Sequence, residues 1–177
     1  MKLHAHITPH APGVQKAVME MKKYARDRVE LAKVLYMFVR DHIRYPFEIA
    51  LRMPVFGQFP EETMWYGWGI CQDSANLLAS LLIAGGFRVA YVYPFRGGRL
   101  LSMPLPTDFS TLHSYVAVYL PEYSNRTLRI GSRNYKGWVP LDPTGRMGTI
   151  GFTPFGKVPA SDLPGKIYND MLIIPIF

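Results

Sequence analysis

The sequence has a single cysteine, Cys71, among its 177 residues. No intrachain disulfide can form, which excludes a disulfide-stapled secreted scaffold and a cysteine-rich zinc module. Long apolar runs are also missing, because the longest, residues 77–84, is far shorter than the roughly 20 residues of a membrane-spanning helix. The N-terminus lacks the apolar core of a signal peptide. We therefore expect a soluble chain without a membrane span, cytoplasmic by default.

The composition is that of a folded domain. Hydrophobic residues make up 49% of the chain and charged residues 19%, so the chain can bury a core and is not disordered overall. A length of 177 residues fits one domain, whereas a (β/α)₈ barrel needs about 250 residues. The net charge of +7 is not concentrated in a basic tail.

Two groups of side chains give weaker indications of a binding function. One is a basic cluster around Tyr135: Arg126, Arg129, Arg133 and Lys136. It fits either a nucleic-acid face or a solvated hairpin, and we favour the hairpin because no zinc-finger, helix-turn-helix or RNA-binding motif is present. The other is an N-terminal histidine tract: His4, His6 and His10. Since no cysteine or carboxylate lies near it, we expect no metal site.

Apolar spacing predicts three helices in the first half of the chain. The first follows Pro12-Gly13, with an apolar face of Val14, Ala17, Val18, Met21 and Ala25. Asp27 is predicted to cap the second, which ends at Tyr45-Pro46 and has an apolar stripe of Leu31, Val34, Leu35, Phe38, Val39 and Ile43. Residues 46–70 are predicted to form a long loop. The third helix, residues 72–84, points Ala75, Leu78, Leu81 and Leu82 inward and ends at Gly85-Gly86.

Beyond Gly86 the pattern becomes that of β-strands. Strands are predicted at residues 87–95, 113–120, 127–130, 138–142 and 171–176. Pro140 limits the strand 138–142 to an edge or a bulge. Helices followed by neighbouring strands indicate the α+β class with an antiparallel sheet.

The candidate catalytic residues are Cys71, His113 and Asp142. Cys71 lies where the loop becomes a helix, and a helix N-terminus favours a thiolate. An imidazole such as His113 can take the thiol proton and return it to a leaving group, and a carboxylate such as Asp142 can orient that imidazole. Taken singly, each also fits a structural role: a buried apolar Cys, a strand His and a turn-forming Asp.

The order of three sequence blocks resembles the transglutaminase-like superfamily. Residues 32–45, AKVLYMFVRDHIRY, are similar to that family's helix before the catalytic loop, ending in Ile-x-Tyr. The second block is Gly-x-Cys-x-Asp-x-Ala-x-Leu-Leu around Cys71, followed by a helix, a strand and His113. The third is Gly-Trp-Val-x-Leu-Asp-Pro-Thr, which contains Asp142. The resemblance covers residues 8–145.

The resemblance implies a single domain over residues 1–177 with a papain-like transglutaminase core. In that α+β fold, N-terminal helices precede a nucleophile helix packed on an antiparallel sheet. It implies Cys71 as nucleophile, His113 as general acid and base, and Asp142 as the orienting residue. The expected activity is hydrolysis of a peptide, isopeptide or amide bond without a metal or organic cofactor. The alternatives are a crosslinking transglutaminase with an amine acceptor, or an inactive module that binds a peptide or protein.

Family members also use an upstream side chain to stabilise the oxyanion. The candidates for this role or for the substrate cleft are Gln58, Trp65, Tyr66, Trp68 and Trp138. Core packing is an alternative for each aromatic residue. Asp73 either positions the loop through backbone bonds or is a solvated first-turn residue, and we favour the second interpretation. We expect a peptide or protein substrate and no nucleic-acid partner.

Overall fold

A computed structural model describes residues 6–46, 57–94, 114–122, 128–130, 133–144 and 171–176. Helices α1 (Pro12–Lys22) and α2 (Arg28–His42) come first. Pro12 lies in the first turn of α1, so the prediction that Pro12-Gly13 precedes the helix was wrong. The first turn tolerates proline because its N–H groups have no partner within the helix. The predicted Asp27 cap of α2 is confirmed, since its side chain accepts the N–H of Glu30 at 2.8 Å.

A short helix, α3 (Pro60–Tyr66), occupies part of the segment that the sequence assigned to a loop. The Glu62 carboxylate accepts the backbone N–H of Phe59 at 2.8 Å. Proline followed by two glutamates is a helix-start signal. The apolar pattern did not reveal the helix because Trp65 and Tyr66 are exposed. Residues 47–56 of the predicted loop lie outside the described residues.

Helix α4 (Cys71–Ala84) confirms the third predicted helix and extends it by one residue. Every residue from 73 to 82 is buried, including Leu77 and Ala79, which the sequence had not placed inward. The helix contacts α1, α2 and α3 as well as two strands of the sheet. A helix that is buried on all sides shows no clean apolar stripe, which explains the incomplete prediction.

Six strands complete the described part of the fold. They are β1 (Val89–Pro94), β2 (Tyr115–Tyr119), β3 (Leu128–Ile130), β4 (Arg133–Tyr135), β5 (Trp138–Leu141) and β6 (Met171–Ile176). Four form an antiparallel sheet in the order β5-β2-β1-β6, and β3 pairs with β4 in the hairpin predicted for the basic cluster. Pro140 lies on the edge strand β5, as predicted.

The core lies between α4 and the sheet, so the predicted α+β class with an antiparallel sheet is confirmed. Apolar residues of α1 and α2 cover the rest of α4. Among the described residues, no helix has both the length and the apolar character needed to cross a membrane.

Because α4 is packed on all sides over residues 73–82, truncating one of its buried side chains is expected to destabilise the protein. Leu78 is fully buried, so Leu78→Ala is expected to lower the free energy of unfolding by about 2–5 kcal/mol through lost apolar burial and a residual cavity. Met19→Ala is the control, because Met19 is exposed and its truncation should change stability by less than about 0.5 kcal/mol. Urea denaturation measures both. Equal midpoints for the two variants would contradict this role of α4.

Candidate functional site

Cys71 is the first residue of α4 and is half-buried. The preceding residue, Ile70, has extended backbone, so the chain turns sharply into the helix at this point. The partial positive charge of a helix N-terminus favours a negative charge in its first turn. The buried body of α4 therefore holds the thiol at the end of the helix that suits an anion.

Asp73 holds the start of α4 against the segment that precedes α3. One carboxylate oxygen accepts the N–H of Ile70 at 2.9 Å, and the other accepts the N–H of Gln58 at 2.7 Å. Burial raises the pKa of Asp73, while these two backbone hydrogen bonds act in the opposite direction. The favoured prediction of a solvated Asp73 was wrong, because the residue is buried. The alternative, loop positioning through backbone bonds, is the one observed.

Gly69 allows a close approach between α3 and α4. A Cβ at this position would lie 2.7 Å from the Cβ of Asp73 and 3.2 Å from Cγ2 of Thr63. The first distance is a clash with an atom fixed by the backbone of α4. A glycine is therefore required here by packing within the protein.

Asp142 follows β5 and is fully buried. Its Oδ1 accepts the backbone N–H of Thr144 at 2.9 Å and the Thr144 hydroxyl at 2.7 Å. The Tyr36 hydroxyl of α2 donates to the backbone carbonyl of Asp142 at 3.1 Å. These bonds fix the carboxylate at the end of the edge strand.

The sheet register brings the start of β2 to the same end of the sheet as Asp142. His113 itself lies outside the described residues. Ser114, the next residue, is buried, and β2 begins at Tyr115. Since Val116 pairs with Leu141, the start of β2 and the end of β5 lie together. Asp142 therefore follows β5 at the end of the sheet where the chain enters β2.

Tyr45 lies in the region of the site, although its sequence pattern predicted no functional role for it. The half-buried phenol lies within electrostatic range of Cys71, Asp142 and Asp73. Burial chiefly, with these three acidic groups, raises its pKa from 10.0 to about 12. The Ile-x-Tyr ending of residues 32–45 was the available signal. The charges of Cys71 and Asp142 both act on the pKa of Tyr45, so the phenol lies in the same region as the two candidate groups that the structure describes.

Gln58 is held at the start of α4 through its backbone, and polar side chains lie against the residue before it, Gly57. Its side-chain Oε1, His6 Nδ1 and both amide atoms of Asn76 are buried without a hydrogen-bond partner among the described residues. A Cβ on Gly57 would lie 3.2 Å from His6 Nδ1 and 3.6 Å from Asn76 Nδ2. A polar cluster, defined by His6, Gln58, Asp73 and Asn76, thus lies against the first turns of α4.

The aromatic candidates lie in different surroundings. Trp65 and Tyr66 are exposed at the end of α3, and the half-buried Trp68 has its ring centroid 6.0 Å from that of Tyr66. Trp138 begins β5, at the opposite end of the strand from Asp142, and its ring centroid is 5.5 Å from that of Tyr119. Tyr66 and Trp68 therefore lie close together at the end of α3, and Trp138 belongs to another part of the sheet.

Within the described residues, no three His, Cys, Asp or Glu side chains are grouped in a way that could hold a metal ion. His10 is exposed, and His6 stacks on Phe59 with ring centroids 4.6 Å apart. His4 lies outside the described residues. The chemistry available here is that of a thiol, a phenol and two buried carboxyl groups.

The profile of the transglutaminase-like superfamily matches residues 15–143, which is well over half of the chain. The chain therefore belongs to the transglutaminase-like superfamily, and the resemblance seen in the sequence is confirmed. No curated protein matches the chain.

Solved structures support the fold. A candidate cysteine protease from Cytophaga hutchinsonii has a TM-score of 0.52 at 14% identity, covering 78% of this chain and 38% of that one. The periplasmic domain of TgpA from Pseudomonas aeruginosa has a TM-score of 0.50 at 19% identity, covering 77% of this chain and 45% of that one. The chain thus spans less than half the length of either structure. These likenesses and the family match confirm the predicted papain-like fold class.

The two hydrogen bonds that the Asp73 carboxylate accepts predict how much stability the protein loses when the carboxylate is replaced. Asp73→Asn keeps one acceptor oxygen where two backbone N–H groups need one each, so it is expected to destabilise the protein by about 1–3 kcal/mol at neutral pH. Asp27→Asn keeps the single acceptor that caps α2 and is expected to change stability by a few tenths of a kcal/mol, roughly. Urea denaturation compares the two. If Asp73→Asn lowers the free energy of unfolding no more than Asp27→Asn does, the bridging role assigned to Asp73 is wrong.

The raised pKa of Tyr45 predicts the pH dependence of stability. With a folded pKa of about 12 against 10.0, the folded protein keeps a proton that the unfolded chain releases. The contribution of Tyr45 to the free energy of unfolding is therefore complete below pH 10.0, and it is lost as the pH rises towards about 12. Tyr45→Phe should lose less stability than the wild type over this range, as measured by urea midpoints. Tyr24→Phe, which changes an exposed residue, should follow the wild type, and identical profiles for all three proteins would contradict the assignment.

Proposed function

We propose that this protein is a thiol-dependent acyl-transfer enzyme that hydrolyses a peptide, isopeptide or amide bond. The observation that carries the proposal is the position of Cys71 as the first residue of a buried helix, with Tyr45 in electrostatic range of both this thiol and the Asp142 carboxyl. Membership of the transglutaminase-like superfamily supports the same chemistry. The proposed substrate is a peptide or protein, and the mechanism requires no metal or organic cofactor.

His113 is proposed as the general acid and base. It directly precedes Ser114 in the sequence, and Ser114 is the residue from which the chain enters β2. Asp142 follows β5 at that same end of the sheet. A buried carboxylate next to an imidazole would fix its tautomer and stabilise its protonated form.

The proposed reaction has two half-reactions. In the first, the Cys71 thiolate attacks the amide carbonyl, a C–S bond forms, and the carbonyl π electrons move onto oxygen. When they return, the C–N bond breaks, and the amine leaves with the proton that His113 had taken from the thiol. In the second, His113 takes a proton from water, the oxygen attacks the thioester, and the thiolate leaves. An amine in place of water would give transamidation, the alternative function.

The candidates for the substrate cleft stay the same five residues: Gln58, Trp65, Tyr66, Trp68 and Trp138. Tyr66 and Trp68 form an aromatic surface at the end of α3, and the chain continues from Trp68 to Cys71 within three residues. A substrate bound to this surface would have a short path to the thiol. Hydrolysis is favoured over transamidation because water needs no second binding site.

Reactivity of the single thiol tests the proposal. At about pH 6, Cys71 in the folded protein is expected to react with iodoacetamide about tenfold faster than the same thiol in urea-unfolded protein, because the proposed mechanism needs a thiol activated as a nucleophile by its neighbours. The unfolded chain is the matched control, and labelling is followed by intact mass. Slower labelling in the folded protein would instead favour an inactive peptide-binding module.

Turnover is tested with the Cys71→Ala variant. Release of p-nitrophenolate from p-nitrophenyl acetate is expected to fall to the uncatalysed rate, while the thermal unfolding temperature stays close to that of the wild type. The Ser80→Ala protein is the control, because Ser80 lies on the same helix but hydrogen-bonds to the backbone of Asn76 and Thr8. Turnover by Cys71→Ala at the wild-type rate would refute the proposed function.

A further inference from the structure

The polar cluster brings an imidazole close to the carboxylate that holds the start of α4. His6 Nδ1 and Asp73 Oδ1 each lie 3.2 Å from the position that a Cβ on Gly57 would occupy, so the two atoms cannot be more than twice that distance apart. This Oδ1 is the oxygen that accepts the N–H of Gln58 at 2.7 Å. The imidazole therefore lies beside the hydrogen bond that joins the segment before α3 to α4.

Two contacts hold the histidine in this place. The ring of His6 lies against that of Phe59, with ring centroids 4.6 Å apart. Two residues further along the chain, the N–H of Thr8 donates to Ser80 Oγ in the middle of α4 at 3.0 Å. His6 and Thr8 precede residues 15–143, so the family profile does not describe this part of the packing.

Asp73 is a buried carboxyl group with mostly acidic neighbours. It is 3% exposed, and burial raises its pKa. The titratable groups around it are Cys71 on the same helix, Glu62 on α3, Tyr45 in the chain that follows α2, and His6. Glu62 raises the pKa of Asp73 further, whereas His6 lowers it. Within this group, only the imidazole can carry a positive charge.

The start of α4 needs Asp73 in its ionised form. A carboxylate offers one acceptor oxygen to each of its two backbone donors, the N–H of Ile70 at 2.9 Å and the N–H of Gln58 at 2.7 Å. A protonated carboxyl group keeps one good acceptor, and its hydroxyl becomes a donor. Protonation would therefore leave one of the two N–H groups poorly bonded, directly before Cys71 in the case of Ile70.

We propose that His6 is a positioning residue for Cys71 that acts through Asp73. The protonated imidazole supplies a positive charge beside the buried carboxylate and keeps it ionised, and the carboxylate in turn holds the backbone of Ile70 and Gln58 where Cys71 begins α4. The consequence for catalysis rests on the proposed function, whereas the pairing of His6 with Asp73 does not.

Backbone amide signals in NMR spectra test the pairing. The amide proton shifts of Gln58 and Ile70 follow the charge of the carboxylate that accepts these protons, so their pH titration gives the midpoint for Asp73. The wild type is compared with two neutral variants, His6→Phe, which keeps an aromatic ring, and His6→Gln, which keeps a polar side chain. His10→Gln is the matched control, because His10 is exposed in the same segment. Thermal unfolding checks that each variant is folded.

Both neutral variants are expected to raise the titration midpoint of Asp73. A histidine is protonated at the acid pH where carboxyl groups titrate, and loss of a positive charge this close should raise the midpoint by about one pH unit. The control His10→Gln should keep the wild-type midpoint. If His6→Phe and His6→Gln both titrate with the wild-type midpoint, the proposal is overturned.

Hydrogen exchange in the first turn of α4 tests whether the effect reaches Cys71. The N–H of Ser74 donates to the carbonyl of Ile70 at 3.0 Å, so its exchange rate reports opening of the turn that contains Cys71. Just above both midpoints, a difference of one pH unit changes the fraction of protonated Asp73 by up to about tenfold, and exchange at Ser74 in the His6 variants should be faster by up to this factor. Equal exchange in the wild type and in both His6 variants would overturn the positioning role.

Neither measurement depends on turnover, so the inference and the proposed function can fail separately. If wild-type Cys71 proves inert towards p-nitrophenyl acetate, the acyl-transfer function is refuted, while the midpoints still decide the pairing. If the wild type turns over and both His6 variants keep the wild-type midpoint, the acyl-transfer function stands and the role of His6 is refuted.

Discussion

Burial of α4 over residues 73–82 is the constraint on which the site depends. A helix enclosed by three other helices and by the sheet cannot rotate or slide without breaking its packing. The position of its first residue, Cys71, is therefore set by the core. The polar groups at the helix start still need partners, and Asp73 supplies them by joining the N–H groups of Ile70 and Gln58. Core packing and one buried carboxylate together orient the thiol.

Negative charge on one acidic group of the site disfavours negative charge on the others. Asp73 and Asp142 are buried, and Tyr45 lies near both, in a protein whose net charge is +7. Negative charge from these carboxyl groups disfavours a thiolate, while the helix N-terminus and an imidazolium favour it. In the proposed mechanism, a positive charge on His113 would balance the charges of the thiolate and Asp142. The Tyr45 phenol, whose pKa is raised to about 12, adds no charge to this balance at neutral pH.

Local sequence signals predicted those parts of the fold that depend on local physics. The cap at Asp27, the end of α4 at Gly85-Gly86 and the edge strand with Pro140 follow from hydrogen-bonding and backbone limits of single residues. The sequence also placed Cys71 at the start of a helix. What it missed depends on tertiary contacts. The burial of Asp73 requires Gln58, fifteen positions away, and the position of Tyr45 requires the bridge from Arg44 to Trp68, neither of which leaves a periodic pattern.

The segment before α1 shows that the folding unit is larger than the part of the chain shared with the family. The family match begins at residue 15, yet the N–H of Thr8 donates to Ser80 Oγ at 3.0 Å, and the ring of His6 stacks on Phe59. Ser80 lies in the middle of the central helix, and Phe59 begins the turn into α3. Trimming the protein to its homologous region would therefore uncover one flank of α4 and expose the polar cluster to water. Boundaries chosen for expression should follow these contacts and not the alignment.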